Sequence, residues 1–301
     1  RPGGFEYESH RVLVARGDQR ERLDEATLAA RCPAWNAARY PDGYVSPRGG
    51  WAESGAVVAR LLELATAAGA RRLDGALDAV QAEGSRVAGV RLTDGRTLPA
   101  DHVVVAAGAW TPELADVLRC VAQPVVHYGV ERPADFRGPH FPPWAADIAG
   151  SGWYGFPALP DGRVKLGHHG DGREVDPDER GTVSEAHLER ARAFLAESIP
   201  ALADAPVVGT RVCLYCDSFD GDLLIDRDPR REGLVVAAGG SGHGFKFAPL
   251  IGGLVADAAE GREKRWSPRL GWRARGAPKT EAARMIGSTR TQEEPEGGHE
   301  G

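Results

Sequence analysis

At 301 residues, 42% apolar and 27% charged, the chain carries material for about two domains of roughly 150 residues each and a sizeable buried core. With 37 Lys and Arg against 43 Asp and Glu the net charge is −6, so there is no basic surplus to draw nucleic acid or anionic lipid. The longest apolar runs, 103–107 and 234–238, fall far short of the roughly 18 residues of a membrane helix. The opening RPGGFEYESH has no hydrophobic leader core, and four Cys are too few for a disulfide scaffold. A reducing cytoplasm is the expected setting, with neither nucleic acid nor membrane as partner.

In chain order, residues 1–47 read as mixed, with a short helix over 23–31 stopped by Cys32-Pro33. An amphipathic helix follows over 53–68, with Val57, Val58, Leu61, Leu62 and Ala65 on one face and Gly69 as its stop. Strand patterns at 77–83, 87–92 and 97–99, with Asp94-Gly95 as a turn, predict a small antiparallel ribbon. The run 103–107 has the unbroken apolar character of a strand buried on both faces of a parallel sheet. Thr111 and Pro112 then read as cap and first residue of a helix.

The middle of the chain predicts antiparallel strands at 125–131, 153–156 and 163–167, then a helix over 184–197. Strands at 207–215, 223–226 and 233–238 come next, then the loop Gly239-Gly240-Ser241-Gly242-His243-Gly244-Phe245-Lys246-Phe247, and a helix from Pro249 to 259. Residues 267–301, polar and rich in Gly, Pro, Glu and Arg, read as a disordered tail.

The strand, glycine-rich loop and helix over 234–259 are the most informative stretch. Such a loop lets backbone N–H groups approach a ligand, and the helix start adds unpaired donors and positive dipole. An anionic or electron-rich group belongs there; the plainer alternative is a tight turn. Only four of the basic residues are Lys, at 165, 246, 264 and 279. In so Arg-biased a chain, Lys165 and Lys246 suggest a need for a compact ammonium, against the plainer reading of a snorkelling side chain. The single G-x-G-x-x-G match, 150–155, precedes a strand instead of following one, so it is not a dinucleotide fingerprint. Cys213 and Cys216 have redox spacing without a supporting fold context, and His168-His169 lacks further ligands at metal spacing. No metal is expected.

The runs Arg211 to Cys216, Leu224 to Pro229 and Leu234 to Phe247, preceded by VVVAAGAW at 103–110, Tyr154-Gly155-Phe156-Pro157 and Val164 to His169, resemble the monomeric sarcosine oxidase and N-methyl amino acid oxidase family of D-amino-acid-oxidase-like flavoenzymes. The likeness spans about 43–266. It implies an α/β fold with mixed α+β character. An incomplete FAD-binding Rossmann-like domain would occupy 51–119 and 223–266, and an antiparallel-sheet substrate domain 1–50 and 120–222, before the tail. It implies FAD held covalently through Cys213, with Gly108, Gly240, Ser241, Gly242 and Gly244 against the cofactor. Lys165 would activate dioxygen by stabilising developing negative charge, Lys246 would pair with the substrate carboxylate, and His243, Tyr154 and His169 would line or adjoin the substrate cavity.

The activity implied is oxidation of secondary amino acids to imines with hydrogen peroxide as co-product, the partners being a small amino acid and dioxygen. The family's opening strand, G-x-G-x-x-G and helix have no counterpart in this sequence. A family member lacking its amino-terminal part is therefore expected, with apolar faces of 103–107 and 234–238 partly uncovered. Two rival expectations stand beside the oxidase: a non-catalytic remnant, and a flavin-dependent amine dehydrogenase with another electron acceptor.

Overall fold

The computed structural model describes residues 3–262, 265–277, 279 and 281–287. The chain passes between two folded units, one made of Arg1–Trp51, Ala122–Leu214 and Glu281–Gly301, the other of Ala52–Val121 and Tyr215–Thr280.

The first unit is organised by a six-stranded sheet. Its order is Arg173–Glu174, Leu118–Gly129, Arg163–His168, Trp153–Phe156 and Trp144–Ala145, and Val207–Ser218 also pairs with Leu118–Gly129. Side chains alternate between the two faces of a strand, and here the alternation is chemical. Val126, Tyr128, Val164, Leu166 and Trp153 point one way and are buried with Ala191, Phe194 and Leu195 of the helix Glu185–Ser198. That helix starts where the sequence supplies a cap, Ser184 accepting from the His187 backbone N–H. Trp153 stacks on Phe194 at 5.3 Å. The opposite face carries His127, Lys165, Tyr154 and Phe156, all half-buried.

The second unit holds two three-stranded sheets. Leu234–Ala238 pairs in parallel with Val103–Val105 and antiparallel with Leu224–Arg227. Leu77–Glu83, Arg86–Leu92 and Thr97–Pro99 form the expected antiparallel ribbon. Leu234, Val235 and Val236 are buried and Ala237 and Ala238 half-buried, whereas Val104 is 44% exposed and Ala106 and Ala107 are exposed, so the run 103–107 is the more uncovered of the two. The helices Ser54–Ala67 and Ala248–Ala259 contain no fully buried residue. Leu61 is 52% exposed, so the apolar stripe read at 53–68 is largely open, and Leu250 is 65% exposed on a helix whose other side packs against Leu224–Arg227 and Leu234–Ala238.

Several local expectations differ. The helix expected from Thr111 is a 3-10 turn, Gly108–Leu114, with Pro112 inside it; proline lacks the N–H that a longer helix would use there. The apolar run 103–107 is a strand only over Val103–Val105, and the strand expected at 125–131 is the longer Leu118–Gly129. The helix Phe5–Ala15 was not expected. Of the stretch expected as a disordered tail, Ser267–Leu270 is helical and Trp272 packs against the Leu224 and Val236 cluster. Ala283 and Arg284 are buried; residues 288–301 lie outside the described residues.

Candidate functional site

In the first unit the site residues follow from strand register. The antiparallel pairing sets Lys165 opposite His127 on one side and Phe156 on the other, and Gly167 opposite Tyr154. Directly opposed residues share a face, so these side chains stand together. Lys165 Nζ lies 5.0 Å from the Phe156 ring centre, a cation–π distance. The Phe156 ring meets Tyr154 edge-on at 5.9 Å and Trp51 at 6.4 Å. The Tyr154 ring covers Gly167, where a Cβ would collide with it.

Burial pulls the Lys165 ammonium below the ordinary lysine range, opposed by the Cys213 thiol when ionised and assisted by Arg211. The strand Val207–Ser218 thus brings Cys213, itself half-buried, to the same ammonium. Lys165 has no hydrogen-bond or ion-pair partner among the described residues. A partly desolvated cation without an internal anion is costly, and an anionic ligand lowers that cost.

His168 and His169 take separate paths. His168 is buried 4.8 Å from Trp153 and 5.8 Å from His187, on the core face of its strand. His169 Nε2 lies 3.0 Å from Glu281 Oε2, its backbone N–H donates to Gly152 and its carbonyl accepts from Met285. Sequence reasoning missed Glu281 because it falls in the stretch read as tail. It also missed His127 and Phe156, whose relation to Lys165 is set by strand pairing across the sheet.

In the second unit the glycine-rich loop is held tightly. Ser241 adopts a left-handed backbone, φ 45°. Its N–H donates to Cys216 O, and its Oγ accepts from the Ser218 N–H and donates to Gly239 O. His243 N–H donates to Gly240 O, and its Nδ1 lies 3.1 Å from Ser241 O. Gly242, at φ 76°, lies flat against the Tyr215 ring with no room for a Cβ. The loop continues as the 3-10 turn Gly244–Phe247 into the helix Ala248–Ala259, which has no side-chain cap and no acidic residue in its first turn. Lys246 Nζ sits 5.6 Å from the Phe247 ring centre. Gly108, at φ 56°, leaves open space within 4 Å of where a Cβ would stand. Cys216 is buried, which pushes its thiol up to about 11 and leaves it an inert core thiol. None of the four cysteines is in a disulfide.

Within the first unit, a half-buried thiol at Cys213 and an ammonium at Lys165 with no ion-pair partner among the described residues fit the chemistry of a flavin ring; in the second unit, taken by itself, the glycine loop offers close backbone approach. Gly150 to Gly155 is not a pyrophosphate cradle, because a Cβ at Gly152 would strike the His168 ring and one at Gly155 the Trp144 ring. Those glycines serve packing. Among the described residues, no helix is long and apolar enough to cross a membrane.

N-methyl-L-tryptophan oxidase from Salmonella typhi is 31% identical over 253 residues, covering 80% of this chain and 65% of that protein. Monomeric sarcosine oxidase from Bacillus sp. (strain NS-129) is 31% identical over 169 residues, covering 53% of this chain and 43% of that protein. The chain thus spans under two thirds of the length of these relatives. The crystal structure of fructosyl amine:oxygen oxidoreductase (Amadoriase I) from Aspergillus fumigatus superimposes with a TM-score of 0.78 at 25% identity, over 90% of this chain and 68% of that one. The model of the DAO family, described as FAD dependent oxidoreductase, matches residues 5–258, and the chain belongs to that family.

Proposed function

We propose that this chain supplies the ring-side and substrate-side residues of an FAD-dependent oxidase of secondary amino acids, N-methyl or otherwise N-substituted, that yields an imine and hydrogen peroxide. The observation that carries the reading is the Lys165 ammonium, half-buried without an internal anion and electrostatically coupled to Cys213. FAD, when bound, would supply the acceptor for the hydride that leaves a C–H bond beside the amine nitrogen as the C–N bond becomes the C=N of the imine. Cys213 is the proposed covalent attachment point. Lys165 holds positive charge where negative charge grows as dioxygen is reduced, and among the described residues no carboxylate pairs with it. Phe156 and Tyr154 exclude water on its flank.

Lys246 is the proposed partner of the substrate carboxylate, with His243 beside it in the loop. Gly240, Gly244 and Gly108 are proposed to offer backbone that a planar ligand approaches without steric cost, and Ser241 and Gly242, the latter packed on Tyr215, to hold the loop in shape for it. His169, fixed by Glu281, is proposed to adjoin the substrate. Four cysteines outside any disulfide support a reducing, cytoplasmic setting.

The test is anaerobic reduction of the FAD-loaded protein by an N-methyl amino acid, followed by mixing with dioxygen. Lys165→Met should slow reoxidation at least 100-fold, about 3 kcal/mol of lost charge stabilisation, and change reduction little. Equal slowing of both steps contradicts the assignment. A second reading, a non-catalytic chain that does not retain FAD, is favoured by the uncovered Val104, Leu61 and Leu250; stoichiometric FAD uptake with turnover excludes it. Peroxide formed per imine separates an oxidase from a dehydrogenase that passes electrons to another carrier.

A further inference from the structure

The row across the sheet at Lys165 is asymmetric. On one neighbouring strand Phe156 offers a ring to the ammonium, and on the other His127 stands directly opposite. Opposed residues of an antiparallel pair have Cβ atoms about 4.5–5.5 Å apart, so the imidazole and the ammonium are immediate neighbours. The charged groups that act on His127 are Lys165 and Arg163 from one strand, Asp161 from the turn before it, and Arg211 from Val207–Ser218. Asp161 is engaged by Arg163, Nε to Oδ2 at 2.7 Å, so it does little to offset the cations. Burial first, and Lys165 second, hold the imidazole below its ordinary 6.5. His127 has no hydrogen-bond or ion-pair partner among the described residues.

We propose that His127 is a positioning residue for Lys165: it stays uncharged beside the ammonium at neutral pH, and on protonation in mild acid adds a second cation to the same sheet face, strengthening that face's hold on a small anionic group. The protons come from solvent, which the half-buried imidazole reaches. The functional meaning of Lys165 rests on the oxidase reading; the coupling of the two side chains does not.

The test uses the flavin-free chain as it stands. The His127 imidazole is followed by 1H–13C NMR, assigned through His127→Gln. Its midpoint is expected below 6.5, to rise by at least about half a unit in Lys165→Met, and to stay within about 0.2 unit of the parent in Lys165→Arg, which keeps the charge. A midpoint at or above 6.5, or one indifferent to Lys165→Met, overturns the proposal. Reductive 13C-methylation then reports on the four lysines, and formate, ionised throughout, is the probe. Formate should perturb the Lys165 resonance with at least twofold tighter apparent affinity at pH 5.5 than at pH 7.5, and His127→Gln should remove that difference. Equal pH dependence with and without His127 overturns the proposal. Neither readout involves flavin or turnover, so failure of the oxidase reading leaves both interpretable, and a mis-set Lys165 role is recognised separately by its reoxidation rate.

Discussion

His168 and His187 should make the first unit acid-labile well above the carboxylate range. Both rings are buried, 5.8 Å apart and against Trp153. Burial drives His168 down to about 4, helped by Arg190, and drives His187 down to about 3, helped by His168 and Arg190. His187 Nε2 has no hydrogen-bond partner among the described residues, so nothing offsets the loss of hydration if the ring is charged. A histidine whose folded midpoint is depressed binds fewer protons folded than unfolded, so stability falls as pH falls below the unfolded value of 6.5. At pH 5 the folded rings are still neutral, and the loss is set by the unfolded chain. Relative to pH 7 each histidine costs about 2 kcal/mol, and the pair about 4 kcal/mol, at 1.36 kcal/mol per pH unit. Urea unfolding followed by tryptophan fluorescence at both pH values measures this, and His187→Phe should recover about half of the drop whatever it does to stability at pH 7. A parent chain equally stable at pH 5 and 7, or a His187→Phe chain with the full drop, would refute the reasoning.

Other expectations are independent of that pair. Gly242→Ala places a methyl into the Tyr215 ring at a backbone φ of 76° and should cost about 1–3 kcal/mol, read as a lower melting temperature; an unchanged melt contradicts the packing. Asp228, with a fully buried side chain, accepts from the Arg230 N–H at 2.7 Å and from Arg231 at 2.7 and 3.1 Å. Asp228→Ala should cost about 2–3 kcal/mol in denaturant unfolding, because it strands those donors. Cys213→Ser should release all flavin on acid precipitation, whereas Cys216→Ser should not.

The antiparallel strands at 153–156 and 163–167 and the helix beginning at Ser184 were legible because their signals are local: alternation, a turn at Asp161-Gly162, a capping serine. The glycine loop and the two singled-out lysines were legible for a chemical reason, since backbone freedom and scarce ammonium groups are visible one residue at a time. What stayed hidden depends on pairing. Nothing near His127 in the chain announces that it opposes Lys165; the register between Leu118–Gly129 and Arg163–His168 decides it. The helix Phe5–Ala15 carries no buried residue, so it lacks the clean apolar stripe by which a helix is recognised. Residues 281–287 read as tail because the stretch 267–301 around them is polar as a whole, yet Met285 N–H bonds to His169 O and Gly287 N–H to Asp171. The amphipathic stripe of Ser54–Ala67 was read correctly as a helix, but its exposure follows from what packs over it, which periodicity does not encode.

The measurement that bears most directly on the central claim is mass spectrometry of the peptide spanning Cys213 after incubation of the chain with FAD, together with the visible spectrum of the acid-precipitated protein. A peptide heavier by one flavin, in a pellet that stays yellow, is the predicted result. An unmodified cysteine in a colourless pellet would contradict the claim that this sheet face grips a flavin ring.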